Sequence, residues 1–378
     1  MKFKPLQTII FSSVLAITLG LAGIAVPFAQ SQTFAVLHTF NYSPDGSDPS
    51  GLLIDSSGNF YGTTSGGGTL GYGTVWKLTA SGTFTVLHTF NYSPEGSVPK
   101  GLNIDSSGNL YGIAAGGGTL GYGTVWKLTP SGTFTVLHTF SYSSEGSDPN
   151  GLLRDSSGNF FGTAAGGGSL GYGTVWELAS TGIFTVLHTF NYSPEGSVPG
   201  SLHRDASGNF FGTATGGGTL GYGTLWELTA TGTFSVLHTF SYSSDGSVPG
   251  GLNIDSAGNF YGIAAGGGSL GYGTVWKLTP SRIFTVLHTF NYSSEGSDPN
   301  GLLLDSLGNF FGTAAGGGSL GYGTVWELTP SGTFTVLHTF NYSPDGSVPG
   351  SLHRDSLGNL IGTAAGGGTL TYGAVWKR

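Results

Sequence analysis

The sequence predicts an all-β fold, and three observations carry that prediction: an internal repeat, the strand periodicity inside it, and an offset between the two chain ends. The repeat is fifty residues long and occurs seven times without insertion or deletion, opening at Phe34, Phe84, Phe134, Phe184, Phe234, Phe284 and Phe334. Periods of this size mark propellers, solenoids or arrays, because one unit cannot bury its apolar face alone. Each unit reads as four short antiparallel strands joined alternately by tight turns and longer loops, which describes a propeller blade. At the ends, one isolated strand, TFAVLHTF from Thr33, precedes the first full unit, and the last unit stops at Arg378 just after its AVW strand. Pairing the N-terminal strand with the last blade closes a ring and leaves no exposed sheet edge there. The expected fold is therefore a seven-bladed β-propeller of four-stranded blades. A right-handed β-helix has shorter coils and gives no reason for the offset.

The elements follow in order. Residues 1–31 place Lys2 and Lys4 ahead of an apolar run ending in Ala29-Gln30-Ser31, the pattern of a secretory signal peptide cleaved after Ser31. An uncleaved leader would be the route to a membrane. The propeller is assigned to residues 32–378. Within one unit, FTVLHTF from Phe134 alternates with period two, placing Phe, Val, His and Phe on one face of an outer strand. The Ser/Gly/Pro-rich residues 141–150 form a connection, GLLRD from Gly151 a short innermost strand, and SSGN a tight turn. FFGTAA from Phe160, the loop GGGSLGYG, TVWELA from Thr174 and the turn STGI complete the blade.

Composition narrows the function. Charged residues are only 8%, and removing residues 1–31 leaves ten basic against twenty acidic groups, a formal charge of −10. Nucleic acid is a poor partner for such a surface. With no Cys and the initiator as its one Met, the exported product has no thiolate metal site, disulfide or cysteine-dependent cofactor. The 25 Phe, 17 Tyr and 7 Trp argue for a packed interior despite 70 Gly.

The stretch GLLIDSSGNFYGTTSGGGTLGYGTVWKLTASG from Gly51, recurring in every unit, resembles the repeat of the GloVer-type tandem-repeat (choice-of-anchor) proteins of bacteria. That resemblance implies an exported propeller, periplasmic, at the cell surface or secreted, without a defined biochemical role. The glycine cluster after a strand is also similar to kelch propellers, although the tryptophan here lies inside the following strand.

Several motifs that resemble sites have a simpler structural explanation. The glycine loop from Gly66 feeds a strand and has no lysine in the P-loop position, so it is a turning device and no phosphate cradle. DSSGN at Asp55 offers too few oxygens for calcium and suits a hairpin turn. Histidines at the position of His38 lie on outer strands, too far apart to share a metal. The long-loop face is more promising. It should carry acids at Asp45, Glu95, Glu145, Glu195, Asp245, Glu295 and Asp345, with one tyrosine ring at Tyr42, Tyr92, Tyr142, Tyr192, Tyr242, Tyr292 and Tyr342, and a second at Tyr72, Tyr122, Tyr172, Tyr222, Tyr272, Tyr322 and Tyr372. Aromatic faces beside polar groups suit sugars. Repeat-to-repeat variation concentrates at Lys100, Asn103, Arg154, His203, Arg204, Asn253, His353 and Arg354, expected near the channel mouth. The expectation is a monomeric binding scaffold for a glycan or cell-surface polymer, without catalytic residues, metal or cofactor. A purely structural surface protein is the alternative, and a channel-mouth hydrolase or lyase the third reading.

Overall fold

The computed structural model describes residues 33–378; the expected signal peptide and the alternative N-terminal anchor fall outside the described residues. The strands form seven four-stranded antiparallel sheets. In the first blade Ser47–Ile54 is innermost, followed outward by Phe60–Gly66, Thr74–Leu78 and Phe84–Thr89. The seventh is built from Ser347–Arg354, Leu360–Gly366 and Ala374–Lys377, with Ala35–Thr39 as its outer strand. Ala35 pairs with Lys377 and Thr39 with Ala374, so the ring closes by the predicted exchange of one strand. Innermost strands touch their neighbours all the way round.

The hydrophobic core lies between blades. Val75 and Phe90 of the first blade pack with Leu110, Trp126 and Leu128 of the second, and the junction across the closure repeats this with Ile361 and Val375 against Leu52, Phe60, Trp76 and Leu78. Each fully buried large apolar side chain contributes about 1.5–3 kcal/mol. All seven tryptophans are wholly buried. The local reason is a glycine: Gly62 sits opposite Trp76 in the ladder, and a Cβ on Gly62 would lie 2.1 Å from Trp76 Cζ2. The indole folds flat onto the neighbouring strand because nothing stands in its way.

Two strand details differ from expectation. The innermost strand of the third blade begins at Ser147 rather than Gly151, taking in Pro149. Its outer edge alone needs partners, so a missing N–H is tolerated, and the register slips between Asn150 and Leu152. The outer strand, in turn, does not keep period two. In the first blade Val86 pairs with Trp76 but His88 with Val75, leaving Leu87 as a bulge. Bulging turns the second half of the strand over. Phe84 therefore packs toward the previous blade, on His38 and Trp76, while His88 and Phe90 pack toward the next, on Phe134. One strand serves both junctions.

Backbone strain is concentrated where each inner strand begins. Asp48, Val98, Asp148, Val198, Val248, Asp298 and Val348 all have φ between 52° and 57°. This conformation costs a residue with a side chain roughly 1–3 kcal/mol. It is held by the residue's N–H, which in the second blade donates from Val98 to the Tyr72 carbonyl at 3.3 Å.

Candidate functional site

The long-loop face is assembled from backbone. Gly67 has φ +66°, and a Cβ there would stand 2.5 Å from the Tyr42 carbonyl oxygen; only glycine fits. The next N–H, from Gly68, donates to that same carbonyl at 2.8 Å, and Gly73 N–H donates to Gly67 O at 3.1 Å. Each glycine loop is thus tied to the connection before it and, through its tyrosine carbonyl, to the connection after it.

This tying brings the two tyrosine sets together in pairs. Tyr72 and Tyr92 have ring centroids 5.6 Å apart at 51°, and Tyr42 meets Tyr372 across the ring closure at 5.5 Å and 54°. Tyr122 with Tyr142, Tyr172 with Tyr192, Tyr222 with Tyr242, Tyr272 with Tyr292, and Tyr322 with Tyr342 repeat the arrangement at 5.4–5.5 Å. Every ring is 39–48% exposed. Each glycine loop also carries a leucine two residues before its tyrosine, from Leu70 to Leu370, 48–55% exposed. Sequence reasoning missed these leucines; an apolar residue at the tip of a glycine-rich loop was the available signal.

The acids do not stand free beside the tyrosines. Asp45, Glu95, Glu145, Glu195, Asp245, Glu295 and Asp345 each lie 3.0–3.2 Å from Nε2 of the histidine seven residues earlier. Most also accept a backbone N–H from the residue just before the loop tyrosine, as Glu145 does from Ser141 at 2.9 Å. The carboxylate therefore fixes the loop that presents Tyr142. The histidine ring lies flat on a phenylalanine of the next blade, His38 on Phe84 at 3.7 Å and His338 on Phe34 at 3.6 Å. Burial lowers the pKa of His38, His138, His238 and His338, and the neighbouring carboxylate opposes this only in part. Among the described residues no group of three or more His, Cys, Asp and Glu gathers where it could hold a metal.

The variable residues divide among three places. Lys100 pairs with Asp148 at 3.1 Å between the second and third blades. A cavity of about 510 Å³ opens on the axis among the inner strands of blades three to six, with Asn150, Asn300 and Asp298 in its wall. Asn103 and Asn253 donate to the Leu152 and Leu302 carbonyls of the following blade, both at 3.0 Å. His203 meets the Leu252 carbonyl in the same way, and His353 that of Leu52; these side chains stitch inner strands together.

Arg154, Arg204 and Arg354 are not at the channel mouth. They are the last residues of inner strands that begin at the long loops, so they sit at the far end, on the tight-turn face, and neighbouring residues on a strand point to opposite sides. Arg204 turns back to Phe161 and Asp155 of the preceding blade while His203 turns forward. The two do not converge on one pocket.

Comparisons with known proteins agree with this architecture. A streptogramin B lyase structure superposes with a TM-score of 0.63 at 14% identity, over 92% of this chain and 97% of that one. Virginiamycin B lyase from Staphylococcus aureus gives 0.62 at 12%, over 92% and 98%. The extracellular domain of a hybrid two component system from B. thetaiotaomicron gives 0.59 at 13%, over 92% of this chain and 41% of that one. At such identities the likeness is one of fold. None of the curated proteins matches the chain. The Gloeobacter/Verrucomicrobia repeat matches residues 22–206 and 148–376, and the chain, with seven copies of one blade, belongs to that repeat family.

Proposed function

We propose that this protein is an exported binding scaffold whose long-loop face holds a repetitive glycan or cell-surface polymer through seven equivalent weak sites. The observation that carries the reading is the tyrosine pair, repeated in every blade, half exposed and opened as a wedge of 45–54°. An open aromatic wedge takes the apolar face of a sugar ring, and the phenolic hydroxyls meet its polar rim. The exposed leucines widen the apolar strip, and the acids serve as loop staples rather than direct ligands.

Linked weak sites gain roughly 10²–10⁴ in affinity without any new contact. Export is supported by the expected leader and by the likeness in fold to the extracellular domain of a two component system. The test is calorimetry and sedimentation with a panel of polysaccharides and their short oligomers. Binding that is strong for polymer, weak for oligomer and abolished when all fourteen tyrosines become alanine supports the reading. Undiminished binding in that variant sinks it.

A further inference from the structure

On the tight-turn face grooves open at junctions between blades, and in three junctions an arginine of the chain itself lies across the aromatic wall. Arg204 lies 4.5 Å over the Phe161 ring and 5.4 Å over Phe210, with Nη1 3.5 Å from Asp155. Arg354 lies 5.0 Å over Phe311 and donates to Asp305 at 3.0 Å. Arg154 lies 5.2 Å over Tyr111 and 5.8 Å over Phe160. These arginines share one arrangement: a guanidinium plane set against the ring of one blade and, in two of the three, also against the phenylalanine of the next. For Arg204 and Arg354 a turn aspartate of the preceding blade receives the charge.

Between the fifth and sixth blades the same walls stand without the arginine. Tyr261, Phe310 and Asp255 are in place, the Tyr261 hydroxyl donating to Asp255 at 3.1 Å as Tyr111 donates to Asp105 beside Arg154, but the strand ends in Leu304, and a cavity of about 640 Å³ opens there. Where Arg154 and Arg204 are present the corresponding spaces are about 320 and 210 Å³. The larger volume falls in the range of roughly 300–1,000 Å³ typical of small-molecule sites. Leu287, Leu328 and Pro330 provide an apolar floor for a methylene stem. Lys277, 5.3 Å over the Tyr261 ring, does not close the site to a cation, since Tyr111 carries Lys127 at 5.7 Å together with Arg154.

We propose that the groove between the fifth and sixth blades binds a small guanidinium compound, an alkylguanidine of the arginine or agmatine type, in the place that Arg154 occupies between the second and third blades. Stacking on Tyr261 and Phe310 and the Asp255 carboxylate supply the recognition, which is specific for a planar delocalised cation. The site lies on the opposite face from the tyrosine pairs and does not depend on their role.

The test is a calorimetric titration of the full chain with agmatine, with butylamine and hexanoate as point-cation and anion controls. Saturable agmatine binding in the millimolar range or tighter, with neither control binding, is expected. Leu304→Arg places in this groove the residue that three other blades already carry, so the fold should be kept and agmatine binding reduced at least tenfold. Should that variant fail to fold, Asp255→Asn decides, with the same tenfold loss expected. No saturable agmatine binding, equal binding of butylamine or hexanoate, or unchanged binding in both variants overturns the proposal.

Discussion

On the long-loop face every blade presents the same tyrosine pair, whereas on the tight-turn face one structural position is occupied in turn by Ile54, Ile104, Arg154, Arg204, Ile254, Leu304 and Arg354. The difference follows from how each face is held. Long loops are locked to both neighbours by backbone hydrogen bonds, such as Gly68 to Tyr42 and Val98 to Tyr72, and by acid–histidine pairs, so a change in one copy disturbs three loops. Groove positions reach their neighbouring blades through side chains, with only a local bond such as Arg354 Nε to the Gly358 carbonyl at 3.3 Å, and an arginine there can stack and pair at little cost. A face made of identical units can act only by repetition; a face whose units differ can hold a single site.

The sharpest way to break this comparison is to remove repetition. Replacing all fourteen loop tyrosines by alanine should abolish polymer binding, a loss larger than the roughly 10²–10⁴ that linkage supplies, while Tyr72→Ala with Tyr92→Ala in one pair should cost only a few-fold; calorimetry on both variants makes the comparison. Agmatine binding in the opposite groove should not change in either.

Next in size is a change that both faces should feel. Gly162→Ala would place a Cβ 2.2 Å from Trp176 Cζ2 and should destabilise the protein by about 3 kcal/mol, read as a lower midpoint in urea. Acid titration separates two sets of groups. The folded pKa of His38, His138, His238, His338, His203 and His353 is below the ordinary 6.5 because of burial. The unfolded chain therefore binds more protons, and stability is lost as pH falls from about 6.5. Burial raises Asp55, Asp105, Asp155, Asp255, Asp305 and Asp355, but hydrogen bonds from the turn, those of Asn59 and its equivalents foremost, outweigh this and hold the six below 3.8. A second loss should follow below that value, on the tight-turn face, and melting scans from pH 8 to 3 should show both steps.

Glu145→Ala leaves His138 and the Ser141 N–H without their partner and should cost about 1–3 kcal/mol, with greater exchange of the Tyr142 loop amides. The smallest effect expected is a gain. In six blades a threonine such as Thr174 donates to the acid's backbone carbonyl at 2.6–2.7 Å, but the seventh has Ala374. Ala374→Thr should stabilise by about 1 kcal/mol, seen as a raised Tm.

Much of the architecture was legible because it rests on local rules. Period-two stretches, Asp-x-x-Gly-Asn turns and the fifty-residue spacing fix strands and blades without reference to distant residues, and the lone strand at Thr33 foretold the closure. The site was less legible. That the two tyrosine sets form pairs depends on Gly67 and Gly73 bringing separate loops within hydrogen-bond distance. That the acids face histidines depends on the bulge at Leu87 and its counterparts, which reverses the side of His88; a strict alternation put His88 with Phe84, and an extra unpaired residue is invisible to a period count.

Seven blades, their order and their ring closure were determined by the sequence alone, since repetition and strand periodicity are properties of neighbouring residues. Which side chains meet was decided by the tertiary structure: tyrosine on tyrosine, acid on histidine, arginine on the ring of the blade before. The tyrosine and arginine contacts join residues from neighbouring blades and the acid–histidine pairs hang on the bulge in the outer strand, and neither packing across a junction nor an unpaired residue is visible as a period along a strand.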